Sequence, residues 1–280
     1  MWIDGKTRLV GIIGQPVEHS RSPLMHNTAF QALGLNWCYV PLPVASDQVA
    51  AAVRGLVALG FAGANVTIPH KEAVLTLVDE LDQAAATIGA VNTLVIKEGR
   101  IWGYNTDWLG VKATLDHIKA IPAGRRVLVL GAGGSARAVV YALAQEGAGE
   151  ILVAARRPEA VGSLQTIAAV TYIPWQERAL ARVAAEVEII INTTPLGMSP
   201  EPHLCPPLPP EVFGRQHKVF DLIYNPQETR LLARARSRGA TTVNGILMLV
   251  EQGREAFRLW TGMEPPLEVM LTALGISEQN

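Results

Sequence analysis

Apolar residues in this chain fall into short unbroken runs, which alternate along most of its length with longer stretches where apolar positions recur at helical spacing. The runs predict strands and the spaced stretches predict helices, an alternation that marks a mostly parallel sheet covered by helices. In the first half the pattern predicts strand 8–13, helix 22–33, strand 36–41, helix 48–59 and strand 62–68. A helix from His70, a second from about Leu81, and strands 92–96 and 100–104 joined by a turn at Glu98-Gly99 complete that half. Thr106 reads as an N-cap, with Asp107 in the first turn, where the helix dipole favours a carboxylate; that helix runs to about Lys119. Further strands are expected at 126–130, 150–155, 188–192, 218–223 and 241–243. After Asn244-Gly245 an apolar helix reaches about Trp260, and another starts at Pro265. Seven of the 18 prolines lie between Pro195 and Pro210, which predicts an ordered loop rather than a linker.

The run from Arg126 to Leu130 opens through Gly131-Ala132-Gly133-Gly134-Ser135-Ala136 into a helix from Ser135 to about Glu146, then a second strand at Glu150–Ala155. This is a βαβ unit of roughly 30 residues with a glycine turn where a dinucleotide pyrophosphate sits. Gly131 suits the tight turn, Gly133 lets backbone N–H groups approach phosphate, and small Ala136 lets the helix pack on its strand. The N–H groups and positive dipole of the helix start supply the anion site. An NAD site would place an acid after the second strand to hold the ribose 2′-hydroxyl. Here Ala155 is followed by Arg156 and Arg157. Guanidiniums can grip a 2′-phosphate that an acid would repel, so NADP is expected rather than NAD.

A chain of 280 residues is long enough for two α/β domains. Its 24 Lys+Arg nearly balance 25 Asp+Glu, so no global field favours nucleic acid or an anionic membrane, and a small-molecule partner is expected. Cys38 and Cys205 lack CxxC spacing, which speaks against a disulfide framework or zinc site and fits a reducing cytoplasm. The start, Met1-Trp2-Ile3-Asp4, does not read as a secretory signal, and no apolar stretch suits a membrane span. A cytoplasmic, soluble protein is the expectation.

Polar groups gather where strands end: Ser20-Arg21-Ser22-Pro23, Asn65-Val66-Thr67-Ile68-Pro69-His70-Lys71, Asn92-Thr93 and Asn105-Thr106-Asp107. In an open parallel sheet such ends line the ligand crevice, and hydroxyls, amides and one ammonium suit a polyhydroxylated carboxylate. Lys71 is the best candidate for proton transfer, with Asp107 as the carboxylate that would fix its orientation and charge state. Pro69 suits the first turn of the helix expected from His70. The six histidines show no HxxxH or HExxH spacing, and no GxSxG elbow occurs, so neither metal ligation nor covalent hydrolase chemistry is expected. His19, His26, His70, His117, His203 and His217 read as structural or surface residues, and Trp108 and the loop around Pro206 as structural. Residues 246–250 read as core, with one or two as walls of a nicotinamide pocket.

These motifs, in this order, resemble the shikimate dehydrogenase family. The resemblance is carried by the segment from Gly14 to Asn27, by Asn65–Lys71, Gly89–Thr93 and Gly103–Asp107, and by the glycine turn. Asn192–Met198, Asp221–Pro226 and Asn244–Gln252 complete it. It implies reversible NADPH-dependent reduction of 3-dehydroshikimate to shikimate in the aromatic amino acid (chorismate) pathway. It further implies that Ser20 and Ser22 bind the substrate carboxylate with Tyr224 assisting, that Thr67, Asn92, Asp107 and Gln252 hold ring hydroxyls, and that Lys71 and Asp107 form the catalytic pair. The cofactor would rest on Gly131–Ala136 and on Arg156 and Arg157, with Thr193, Met198, Gly245 and Met248 also lining its site. The family's usual Asn-Arg-Thr after the second strand is Ala155-Arg156-Arg157 here, so grip on the 2′-phosphate rests more on charge. The implied architecture is two α/β domains with a cleft between them: a discontinuous substrate domain of residues 1–105 plus 245–280 and a Rossmann-type NADP domain of residues 106–244, as a monomer or homodimer. A quinate/shikimate dehydrogenase using NAD or both cofactors is the nearest alternative. A non-catalytic NADP-binding regulator on the same scaffold is a more distant one.

Overall fold

The computed structural model describes residues 3–276. Its path separates into two units, Met1–Thr106 with Val250–Asn280, and Asp107–Leu249. Met1, Trp2 and residues 277–280 of the expected first domain lie outside the described residues. No helix among the described residues is long and apolar enough to cross a membrane.

The first unit contains β1 (Arg8–Gly14), α1 (Ser22–Ala32), β2 (Trp37–Pro43), α2 (Val49–Ala58) and β3 (Gly63–Val66). These are followed by β4 (Glu80–Leu81), α3 (Gln83–Ile88), β5 (Thr93–Lys97) and β6 (Arg100–Tyr104). Its sheet runs β2-β1-β3-β5-β6-β4. β1 pairs in parallel with β2 and β3, and β4 with β6, while β5 is antiparallel to both its neighbours. One face of the sheet, with Ile13, Ala64, Val66, Leu94 and Ile96, packs on Val49, Val53 and Leu56 of α2.

The second unit holds α4 (Asp107–His117), β7 (Arg126–Leu130), α5 (Gly134–Gln145), β8 (Glu150–Ala155), α6 (Pro158–Gly162) and β9 (Val170–Pro174). It continues through α7 (Glu177–Ala184), β10 (Ile189–Asn192), β11 (Lys218–Asp221), α8 (Arg230–Ser237) and β12 (Thr241–Val243). Its sheet is parallel throughout, in the order β12-β11-β10-β7-β8-β9. Successive side chains on a strand point to opposite faces. Val127, Val129, Ile151, Val153, Ile189 and Ile191 accordingly face one core, and Leu128, Leu130, Leu152, Ala154 and Ile190 face the other. Burial on both faces explains why these strands read as unbroken apolar runs. Strand order reverses between β7 and β10, the switch point where doubly wound sheets take their ligands.

The terminal helices are α9 (Ile246–Thr261), within which the unit boundary falls, and α10 (Leu267–Ala273), which lies against α1. In the first unit α9 adds Phe257 and Trp260 to an aromatic cluster with His26, Phe30 and Tyr39. The Trp260 indole N–H donates to the Leu94 carbonyl at 2.9 Å. A Cβ on Gly63 would lie 2.2 Å from that carbonyl oxygen and 2.4 Å from the indole nitrogen, so the approach of α9 to the sheet requires glycine there.

One sequence expectation needs correction. No α-helix starts at His70, so Pro69 opens none; residues 73–76 form a short 3-10 turn. The Lys71 carbonyl, which a helix would keep for itself, accepts from Val91 N at 2.8 Å, and the His70 ring lies 2.7 Å from the Val44 carbonyl oxygen; both partners belong to loops that flank the strands. The helix expected from about Leu81 is α3, although Leu81 itself is paired in β4. The helix begins one residue after Asp82, whose carboxylate accepts from Ala84 N and Ala85 N as an N-cap.

Candidate active site

In the first unit the register gathers polar residues at one end of the sheet. Asn65 of β3 lies opposite Thr93 of β5, and Thr93 opposite Tyr104 of β6, so Thr67, Lys71, Asn92 and Thr106 all leave the sheet at that end. A buried hydrogen-bond chain joins several of them. Its directions are fixed at Thr106, whose backbone N–H can only donate and does so to Asn92 Oδ1 at 2.8 Å. Asn92 Nδ2 therefore donates, to Thr106 Oγ1 at 3.0 Å and toward Gln252 Oε1 of α9 at 3.4 Å. Asn65 Nδ2 donates to the Asn92 carbonyl at 3.2 Å and to Thr93 Oγ1 at 3.1 Å. Its Oδ1 accepts from the Tyr39 hydroxyl at 2.8 Å, and Ser22 also hydrogen-bonds that hydroxyl. Burial pushes the Tyr39 phenol well above its ordinary range.

Ser22 is buried at the start of α1, and its backbone N–H donates to Ser20 Oγ at 3.3 Å. Thr67 and Lys71 are half-buried just past β3, the Thr67 carbonyl accepting from His70 N at 2.9 Å. Ser20, Ser22, Thr67, Lys71, Asn92 and Gln252 thus belong to the first unit. Asp107 belongs to the second unit, as the buried first residue of α4. Asn65 and Thr93, among the polar groups expected at the crevice but given no role there, join this chain, and so does Tyr39, which was not singled out; a tyrosine in the apolar run of β2 was the available signal.

In the second unit Gly131 has φ +106°, and a Cβ there would sit 2.6 Å from Thr193 Oγ1. The β7 turn and the loop after β10 therefore meet at the switch point, where Thr193 N and Oγ1 both donate to the Leu130 carbonyl, at 2.9 and 2.8 Å. Gly133 and Gly134 are exposed, and a Cβ on either meets nothing within 4 Å. No side chain caps α5, and Ala136 is fully buried behind its first turn. Open space and uncapped N–H groups at Gly134 and Ser135 fit a pyrophosphate. Arg156 and Arg157 stand exposed just beyond β8, with no ion-pair partner among the described residues. The residues present therefore fit a 2′-phosphorylated dinucleotide.

The other expected cofactor neighbours are spread along the same unit. Met198 is 46% exposed, and Met248 packs against the core cluster that contains Ala136. Gly245 N donates to the Ile223 carbonyl at 3.1 Å, and half-buried Tyr224 follows β11. Beneath these loops lies Asp221, fully buried. Its Oδ1 accepts from Asn192 Nδ2 at 3.0 Å and Ile223 N at 3.1 Å, and its Oδ2 from Thr229 Oγ1 at 2.7 Å. Burial pushes the carboxyl up to about 6, against the three donors that hold it down.

Comparison with known proteins bears on the whole length. Residues 12–94 match the shikimate dehydrogenase substrate binding domain, residues 116–202 match shikimate / quinate 5-dehydrogenase, and residues 245–274 match the shikimate 5′-dehydrogenase C-terminal domain. The NADP(+) shikimate dehydrogenase of Desulforamulus reducens is 46% identical over 279 residues, covering 97% of this chain and 96% of the relative. The chain belongs to the shikimate dehydrogenase family. The NADP(+) shikimate dehydrogenase of Methanothermobacter thermautotrophicus is likewise 46% identical, with 97% of each chain covered. A crystal structure of a shikimate dehydrogenase in complex with NADP+ superposes with TM-score 0.91 at 41% identity, covering 98% of this chain and 96% of that one. Of the expected site residues, Asp107 and Tyr224 fall outside the three matched segments, although the full-length shikimate dehydrogenases span nearly the entire chain.

Proposed function

We propose that this chain catalyses the reversible, NADPH-dependent reduction of 3-dehydroshikimate to shikimate, a step of the aromatic amino acid pathway. The near full-length likeness to NADP-dependent shikimate dehydrogenases carries this reading, and the residues of both units support it. The first unit serves as the substrate domain and the second as the NADP domain. Ser20 and Ser22 take the carboxylate, with Tyr224 assisting. Thr67, Asn92, Asp107 and Gln252 hold ring hydroxyls; Asn92 and Gln252 are already tied together in a chain of fixed donor direction.

NADPH, when bound, supplies the hydride. Gly131–Ala136 seat its pyrophosphate, Arg156 and Arg157 grip its 2′-phosphate, and Thr193, Met198, Gly245 and Met248 line the rest of its site. Lys71, as ammonium, gives a proton to the oxygen that becomes the C3 hydroxyl, and as neutral amine takes it back in the reverse direction. Asp107 completes the catalytic pair by holding the substrate. A cytoplasmic enzyme, monomeric or homodimeric, is part of the same proposal.

The test is shikimate-dependent reduction of NADP+ by the wild type and by Lys71→Ala. Loss of a positioned proton donor typically lowers turnover by about 10²–10⁴-fold. Wild-type turnover with kcat reduced to that degree in the variant is the expected result; normal turnover in Lys71→Ala removes that residue from the reaction.

A further inference from the structure

We propose, building on the cofactor reading above, that Asp221 is a positioning residue: its carboxylate ties the loop carrying Thr193 and Met198 to the turn carrying Tyr224 and to the start of α8. Through them it fixes the nicotinamide end of the site and leaves the adenosine end untouched.

The connections are continuous. Asn192 donates to Asp221 Oδ1 through its Nδ2 at 3.0 Å, which leaves its own Oδ1 as acceptor. That oxygen takes Thr194 N at 3.1 Å and Thr194 Oγ1 at 2.7 Å, and Thr194 Oγ1 accepts from Leu196 N at 3.3 Å. The carboxylate thereby sets the path of the chain after β10. On the β11 side, Asp221 Oδ1 also holds Ile223 N, one residue before Tyr224, and the Ile223 carbonyl accepts from Gly245 N. Thr229 gives its hydroxyl proton to Asp221 Oδ2 and with the same oxygen accepts Leu232 N as the α8 N-cap. The two loops are joined once more, by Ser199 N to the Asn225 carbonyl at 3.0 Å.

Asn192, Asp221 and Thr229 are all essentially inaccessible to solvent. A buried carboxylate is costly unless its acceptor sites are filled, and here three donors from three segments fill them. No other acceptor of the same shape serves all three, because an amide in its place turns an N–H toward Thr229, whose hydroxyl proton then loses its partner. No hydrogen bond of this network ends on Arg156 or on Gly133–Ala136; it meets the glycine turn only where Thr193 and Thr194 pack on Gly131, so its direct reach is to the nicotinamide end.

The experiment compares binding of NADPH with binding of 2′,5′-ADP, which carries only the adenosine half, in wild type and Asp221→Asn. Both constants are measured by calorimetry without substrate, alongside kcat. Loss of a charge-assisted hydrogen bond corresponds to roughly tenfold or more, and transmission through a loop passes on part of it. NADPH binding is therefore expected to weaken about five- to tenfold, with kcat falling as well and 2′,5′-ADP binding unchanged. Thr229→Val, which leaves the carboxylate in place and removes one donor, shifts the constants in the same selective direction, and Thr229→Ser restores them. Equal weakening of both ligands, or no change in either, overturns the proposal while wild-type NADPH binding leaves the cofactor reading intact. Wild-type protein that binds no NADPH overturns both.

Discussion

The imidazole of His26 lies flat against the ring of Tyr39, with centroids 4.6 Å apart and planes 6° apart. Phe257 stacks on it as well, and neither ring nitrogen has a hydrogen-bond partner among the described residues. Such a ring is held neutral: burial pushes its pKa down to about 3 from 6.5. The unfolded chain binds a proton below 6.5 that the folded chain refuses. The stability from neutral His26 is thus complete above that pH and lost as pH falls toward 3.

Between about pH 7 and about pH 5 this group should remove about 2 kcal/mol of unfolding free energy. His26→Phe keeps the ring stack and removes the titration. Urea unfolding of both proteins at the two pH values checks it, the variant losing less by that amount. Equal losses would show that the fold accommodates the charged ring.

Arg156 and Arg157 stand where an NAD-specific chain would carry an acid. Arg156→Ala should raise KM for NADP about tenfold or more, the scale of a lost hydrogen bond between charged groups, and leave KM for NAD nearly unchanged. The ratio of kcat/KM for the two cofactors is the reading. An equal fall for both would mean that the side chain acts on something other than the 2′-phosphate.

Gly63 is the point where α9 meets the sheet. Gly63→Ala puts a methyl group against the Leu94 carbonyl and the Trp260 indole, neither of which can give way without breaking their hydrogen bond. A loss of about 3 kcal/mol is expected from overpacking together with that bond. Chemical denaturation measures it, and a change under about 1 kcal/mol would show that α9 is free to shift.

The parallel sheet of the second unit was legible because strands buried on both faces leave nothing but apolar runs. Its edge strand β9 was not, since Val170-Thr171-Tyr172-Ile173-Pro174 lies at the sheet edge, mostly half-buried or exposed, and so is no unbroken apolar run. The stretch after His70 has the residues of a helix, yet contacts to Val44 and Val91, in loops at the ends of neighbouring strands, override local preference. The candidate site was legible as motifs, because hydroxyls and amides cluster at strand ends. The support beneath it was not. Nothing local in β11 shows that the Asp221 carboxylate receives donors from Asn192 and Thr229, which lie 29 and 8 residues away in sequence.

The most direct measurement is the initial rate of nicotinamide oxidation or reduction with 3-dehydroshikimate, shikimate and quinate, each paired with the NADP and NAD couples. Fast turnover confined to the shikimate-type substrates with NADP is the predicted result. Comparable rates with quinate or with NAD would contradict the assigned specificity, and absence of turnover on every substrate would contradict the activity itself.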